Sequence, residues 1–160
     1  MANSIDIFIA AARAALPRER IERWQVRSFG NSAEMANILI DLIGSFDKTG
    51  TFALESEFEQ RPQDRPITGG YVVVTRFDGT PVLLYRLIEV STVAFEDIGP
   101  QHVAVEGPKA RYVEVWRSIH WPYWGAMLRA KGREPTLQMS VLFQRFKVLF
   151  PLSAAQTVRD

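Results

Sequence analysis

The sequence predicts an α+β fold, a small, mixed and mostly antiparallel β-barrel with helices packed outside. Three observations carry the prediction. Apolar runs follow one another in the order helix, strand, helix, strands, helices, strand. Residues 71–77 and 82–93 are strong strand runs separated by Asp78-Gly79, a hairpin signal. A last strand run occupies residues 139–150, and short strands connected this way favour a barrel with helices outside it.

A chain of 160 residues suggests one domain around a single core. The expected division is an N-terminal helix at residues 1–19 belonging to the same domain, a body at 20–151 and a tail at 152–160. Hydrophobic residues make up 47% and charged residues 23%, which excludes a disordered chain. There is no cysteine, so a disulfide framework and a thiolate metal site are both excluded. That fits a reducing compartment, and a cytoplasmic location is expected. The apolar run at 5–16 is broken by Asp6 and Arg13 and has no basic stretch ahead of it, so neither a membrane span nor a signal peptide is expected.

The net charge of +1 excludes a grossly basic nucleic-acid binder. Its distribution says more. Residues 1–60 carry 6 basic and 9 acidic groups, residues 61–100 carry 4 and 5, and residues 101–160 carry 9 and 4. A basic last third suits a phosphate-bearing partner, or is simply a solvated helix face.

In chain order, residues 4–16 read as a helix on the spacing of Ile5, Phe8, Ile9, Ala12 and Leu16, ended by Pro17. Residues 22–29 alternate loosely and read as a short strand. The next helix is capped by Asn31, with Glu34 completing a capping box. Its apolar stripe is Met35, Ile38, Leu39, Leu42, Ile43 and Phe46. Lys48 sits where this helix gives way to a strand at residues 49–55. A polar loop follows, closed by Gly69-Gly70. The two hairpin strands are apolar on nearly every position, so both faces should be covered. Arg86 is the exception and needs water or a partner. Residues 96–104 read as a short helix or turn, 109–120 as a helix, and Pro122 as the first turn of another, ended by Gly132. In the last strand Phe146, Val148 and Phe150 share one face, and Arg145 and Lys147 the other.

Several residues admit two readings from spacing alone. Lys48 either offsets a helix dipole or serves as a base or phosphate ligand with a lowered pKa. Thr49 and Thr51 are ordinary strand residues, yet Lys48 and Thr51 can converge on one pocket. Glu106 in its turn reads as solvated. Glu114 lies one helical turn from Arg111 and Arg117 and suits surface pairs. Trp116, Trp121 and Trp124 are either core or a stacking surface beside Lys109, Arg111 and Arg117. His102 and His120 are too few and too isolated for a metal site. No Ser-His-Asp set, phosphate loop or dinucleotide fingerprint is present, and no cofactor is expected.

Taken in order, a set of short motifs resembles the ASCH-domain family of the PUA-like superfamily, in its longer bacterial branch. The motifs are Phe29-Gly30-Asn31-Ser32, Lys48-Thr49-Gly50-Thr51, Glu57-Phe58-Glu59 and Asp78-Gly79-Thr80-Pro81. Ala104-Val105-Glu106-Gly107 follows, then Glu114-Val115-Trp116-Arg117 with His120-Trp121, and Val141 to Phe146. The resemblance spans roughly residues 20–151. It implies a PUA-like barrel with a cleft beside the helix that precedes the lysine. It also implies an association with RNA or a nucleotide, and some members resemble ribonucleases. A shorter branch hydrolyses N4-acetylcytidine with a Lys, a Thr three residues later and a Glu from a turn; these map onto Lys48, Thr51 and Glu106. On that mapping Lys48 takes the Thr51 proton, Thr51 attacks an acyl carbon, and Glu106 serves the leaving amine. Arg86 would pair with Glu106 or bind a phosphate, and Thr49, Arg111, Tyr112 and Trp116 would contact the ligand. Phe46, Gly50, Ala110 and Tyr112 depart from the family's usual residues. A ligand- or partner-binding barrel without chemistry is the remaining alternative.

Overall fold

The computed structural model describes residues 3–152. Helix α1 is Ser4–Ala15, capped by Asn3, whose side-chain oxygen accepts from the Asp6 amide at 2.9 Å. Strand β1 is Trp24–Ser28 and helix α2 is Ala33–Gly44. Strand β2, Gly50–Leu54, runs into a 3₁₀ turn at Glu55–Phe58. Strands β3, Tyr71–Thr75, and β4, Pro81–Ala94, form the expected hairpin. Helix α3 is the single turn Pro100–Val103, helix α4 is Val113–Arg129, and strand β5 is Ser140–Phe150. The tail expected at 152–160 lies outside the described residues beyond Leu152.

The five strands form one sheet in the order β1-β3-β4-β5-β2. The β1–β3 ladder is parallel and the other three are antiparallel. A register shift between Leu87 and Glu89 bends β4, as an extra residue in one strand does. The sheet curls into a half-barrel that brings its two edges together. No ladder joins β1 to β2; instead Arg27 of β1 donates through Nη2 to the Phe52 carbonyl of β2 at 3.3 Å.

Both sheet faces are covered, as the apolar runs demanded. Ile9, Ala12 and Ile21 pack on Val73 and Leu84 on one face. Ile40 and Ile43 of α2, with Phe29, pack on Val72, Val74, Leu83, Tyr85 and Phe146 on the other. Trp116 and Trp124 of α4 pack with Val103 against Phe52, Leu54, Val141 and Phe143 at the β2–β5 end.

Three sequence expectations are corrected. Ser32, not Asn31, caps α2, accepting from the Met35 amide at 3.1 Å. The buried stripe of α2 is Ala36, Ile40 and Ile43, so Met35 and Ile38 remain 42% and 45% exposed. The two helices expected around Pro122 are one continuous α4. Pro122 lacks an amide proton and leaves the Ser118 carbonyl without its helical donor, on an exposed side of the helix. Trp116 and Trp124, buried in one core on either side of the proline, hold the helix together across it.

Candidate functional site

The site begins at the end of α2. Phe46 takes a left-handed conformation, φ 66°, unusual for a residue with a side chain. That turn swings the chain back so that the Lys48 amide donates to the Leu42 carbonyl at 2.9 Å. The Lys48 side chain is thereby carried inward, and the residue is 3% exposed. The next residue is pinned on both sides. The Thr49 amide donates to the Val105 carbonyl at 2.8 Å, and the Thr49 carbonyl accepts from the Phe146 amide at 3.0 Å. Thr49 therefore contributes backbone, and its side chain is exposed.

The partner of Lys48 comes from the turn after α3. Lys48 Nζ lies 2.8 Å from Glu106 Oε2, and Glu106 is 7% exposed. Two glycines permit this approach. A Cβ on Gly50 would stand 2.7 Å from Val105 Cγ2, and one on Gly107 would stand 2.7 Å from Leu42 Cδ1. Arg111 then closes the arrangement from outside. Its guanidinium donates to the Asp47 carbonyl at 2.6 Å and to the Glu106 carbonyl at 2.8 Å. It clips together the two backbone segments that carry the ion pair. Burial pushes the Lys48 ammonium below its ordinary value; the Glu106 carboxylate holds the proton on, and the Arg27 charge works with burial.

Thr51 is buried on β2 opposite Gln144 of β5. Its Oγ1 lies 3.5 Å from Arg27 Nη2, a long contact. Arg27 thus touches Thr51 and acts through space on Lys48, which sets both residues in one electrostatic neighbourhood. Arg27 also lies over the Phe29 ring, 4.6 Å from its centroid. On the other side of Arg27 a cleft of about 460 Å³ opens, lined among others by Trp24, Glu57, Tyr85, Tyr123, Trp124 and Gln144. Lys48, Thr51 and Glu106 do not line it; they lie behind Arg27.

Two polar atoms at this wall, Tyr85 Oη and Gln144 Nε2, are buried without a hydrogen-bond partner. Burial pushes the Tyr85 phenol up, and the Arg27 charge, with a poorly aligned contact from its guanidinium to the phenol, opposes the rise. Burial also pushes Glu57 up, against the charges of Arg27, Lys131 and Arg61. His120 stacks on Trp116 with centroids 4.4 Å apart, and its Nδ1 lies 2.8 Å from the Trp116 carbonyl. A carbonyl only accepts, so Nδ1 carries the proton and neutral His120 presents a bare Nε2. Burial lowers its pKa and keeps it neutral, although the Trp116 carbonyl and Glu106 favour the charged form.

A family model for the ASCH domain matches residues 23–150. The chain belongs to the ASCH domain family. The crystal structures that share its fold include these two. One is the ASCH domain from Lactobacillus crispatus JV V101, 24% identical, with a TM-score of 0.82 over 93% of this chain and 96% of that one. The other is a protein from Enterococcus faecalis V583, 19% identical, with a TM-score of 0.80 over 92% and 89%. No curated protein matches the chain.

Within this ASCH domain the residues singled out from sequence separate. Lys48 and Glu106 meet directly, and Thr51 joins them through Arg27. Arg86 does not pair with Glu106. It lies 3.3 Å from Glu19, whose carboxylate also accepts from the Tyr71 hydroxyl at 2.6 Å. Strand alternation sends Arg86 to the face opposite Tyr85, toward the chain that follows α1. Trp116 is fully buried and cannot stack on a ligand. Arg111 is occupied by backbone carbonyls, Arg117 donates to the Glu96 carbonyl at 3.0 Å, and among the described residues neither pairs with Glu114. Tyr112 is 67% exposed just before α4. Sequence reasoning missed Arg27, Tyr85, Gln144 and Glu57. Gln144 carried a signal, since it is an amide inside an apolar strand run.

Removing one member of a buried pair strands the other charge. Lys48→Met is expected to cost about 3–5 kcal/mol of stability by urea denaturation. The double variant Lys48→Met/Glu106→Leu is expected to recover most of that loss, because no charge remains to desolvate.

Proposed function

We propose that the cleft is the binding site for a nucleotide unit, presented free or within single-stranded RNA. One observation carries the reading: Gln144 Nε2 is buried at the cleft without a partner, and the Tyr85 Oη beside it meets only a poorly aligned Arg27 guanidinium. An orphaned group costs about 1–3 kcal/mol. A base edge supplies an acceptor for the amide and a partner for the phenol. Trp24 and Tyr123 offer ring faces for stacking, and Arg27 brings positive charge to the same wall. The resemblance of the sequence to a family associated with RNA points the same way.

A short single-stranded RNA titrated at low and high salt tests this. The affinity is expected to fall with salt, and Tyr123→Ala, at a 49% exposed position, is expected to weaken binding by about 5- to 150-fold, the equivalent of one lost stacking contact of roughly 1–3 kcal/mol. Absence of any salt-sensitive binding removes the reading.

A second reading rests on the 2.8 Å Lys48–Glu106 pair with buried Thr51 beside Arg27. It is hydrolysis of an acylated amine of the N4-acylcytidine class. Thr51 Oγ attacks the acyl carbon and neutral Lys48 takes its proton. Arg27 stabilises the developing negative charge, and the proton taken by Lys48 passes through Glu106 to the departing amine. Water then releases the acyl group from Thr51 as an acid. Burial raises the neutral fraction of Lys48, so the rate should rise with pH through that lowered pKa. Turnover of N4-acetylcytidine, followed by release of cytidine, should be abolished in Lys48→Ala; no turnover by the unaltered protein, or turnover unchanged in the variant, ends this reading.

A further inference from the structure

Two arginines line the cleft. Arg61 lies 3.2 Å from Asp64 and is paired. Arg27 is not: among the described residues no carboxylate lies within ion-pair distance of it. Its guanidinium has five N–H donors. Its contacts through Nη2, to the Phe52 carbonyl at 3.3 Å and to Thr51 Oγ1 at 3.5 Å, are both long, and its contact with the Tyr85 phenol is poorly aligned. The Phe29 ring compensates part of the charge. Glu57, the carboxyl group nearest in effect, is itself pushed toward its neutral form by burial. A cation withdrawn from water is normally paired, and this half-buried one borders the cleft beside Tyr85 Oη and the unpartnered Gln144 Nε2.

From this geometry we infer that the occupant of the cleft carries an anionic group and that Arg27 is the residue that binds it, selecting a nucleotide over the corresponding neutral nucleoside. A phosphate or carboxylate presents two acceptor oxygens to the planar guanidinium, which suits a bidentate contact shorter than the present bonds. The choice of a nucleotide rests on the function proposed above; the anion site itself does not. Phosphate and carboxylate share the chemistry, and the experiment separates them.

The full chain is titrated with inorganic phosphate, acetate, uridine and uridine 5′-monophosphate while the Arg27 side-chain Nε–Hε resonance is followed by NMR, assigned with Arg27→Lys. Phosphate is expected to shift that resonance. The monophosphate is expected to bind at least about 10-fold more tightly than uridine, a gap of about 1.4 kcal/mol. That gap should vanish in Arg27→Met and survive in part in Arg27→Lys. A response to acetate but not phosphate keeps the anion site and assigns it to a carboxylate. A phosphate response without binding of either uridine compound keeps the anion site and removes the nucleotide reading. No response of Arg27 to any of the anions, or a gap that persists in Arg27→Met, overturns the inference.

Discussion

The ion pair between Lys48 and Glu106 is the constraint around which this end of the molecule is built. The two residues are 58 positions apart and meet at 2.8 Å with almost no exposure. Taking both charges out of water costs several kcal/mol per ion before their attraction repays it. The surrounding features make sense as conditions of that meeting. Phe46 accepts a strained left-handed backbone that turns Lys48 inward. Gly50 and Gly107 remove the side chains that would hold the two segments apart. Arg111 ties their carbonyls together from outside. Phe46 also packs against the core under α2; the two glycines and Arg111 act by bringing two segments of backbone closer.

Arg27 extends the constraint into the cleft. The sheet is a half-barrel whose edge strands are not laddered to one another. The guanidinium spans that seam by reaching the Phe52 carbonyl and Thr51 from β1. It therefore separates two zones of one polar interior. Behind it lie Lys48, Glu106 and Thr51; in front lie Tyr85, Gln144 and the aromatic walls of the cleft. Arg27 thus bears on the seam and on the field felt by Lys48 at once.

Most of the fold was legible because its signals are local. Asp78-Gly79 marked the hairpin, the apolar runs marked β3, β4 and β5, and Pro17 ended α1. Pro122 misled for the same reason. Its rule is local, whereas Trp116 and Trp124 hold α4 intact through packing that no window of sequence reveals. The site divides along the same line. Lys48, Thr51 and Glu106 were reached through a family pattern, and Arg86 was noticed as a charge in an apolar strand. Which face Arg86 takes depends on which strand residues the core claims, and Tyr85 and Leu87 are in the core. Arg27 sat in a loosely alternating polar strand, where an arginine looks solvated. Only the curl of the sheet, a property of all five strands together, turns that position toward β2.

The central claim is that charges from β1, the α2–β2 junction and the turn after α3 act on one another inside the protein. The Lys48 titration, followed through its side-chain Cε and Hε shifts by NMR in the unaltered protein, Arg27→Met and Glu106→Gln, measures this directly. Lys48 should titrate below the ordinary lysine value of 10.5, rise when Arg27 is removed and fall further when the Glu106 charge is removed. A lysine that titrates at its ordinary value and responds to neither substitution would contradict the account.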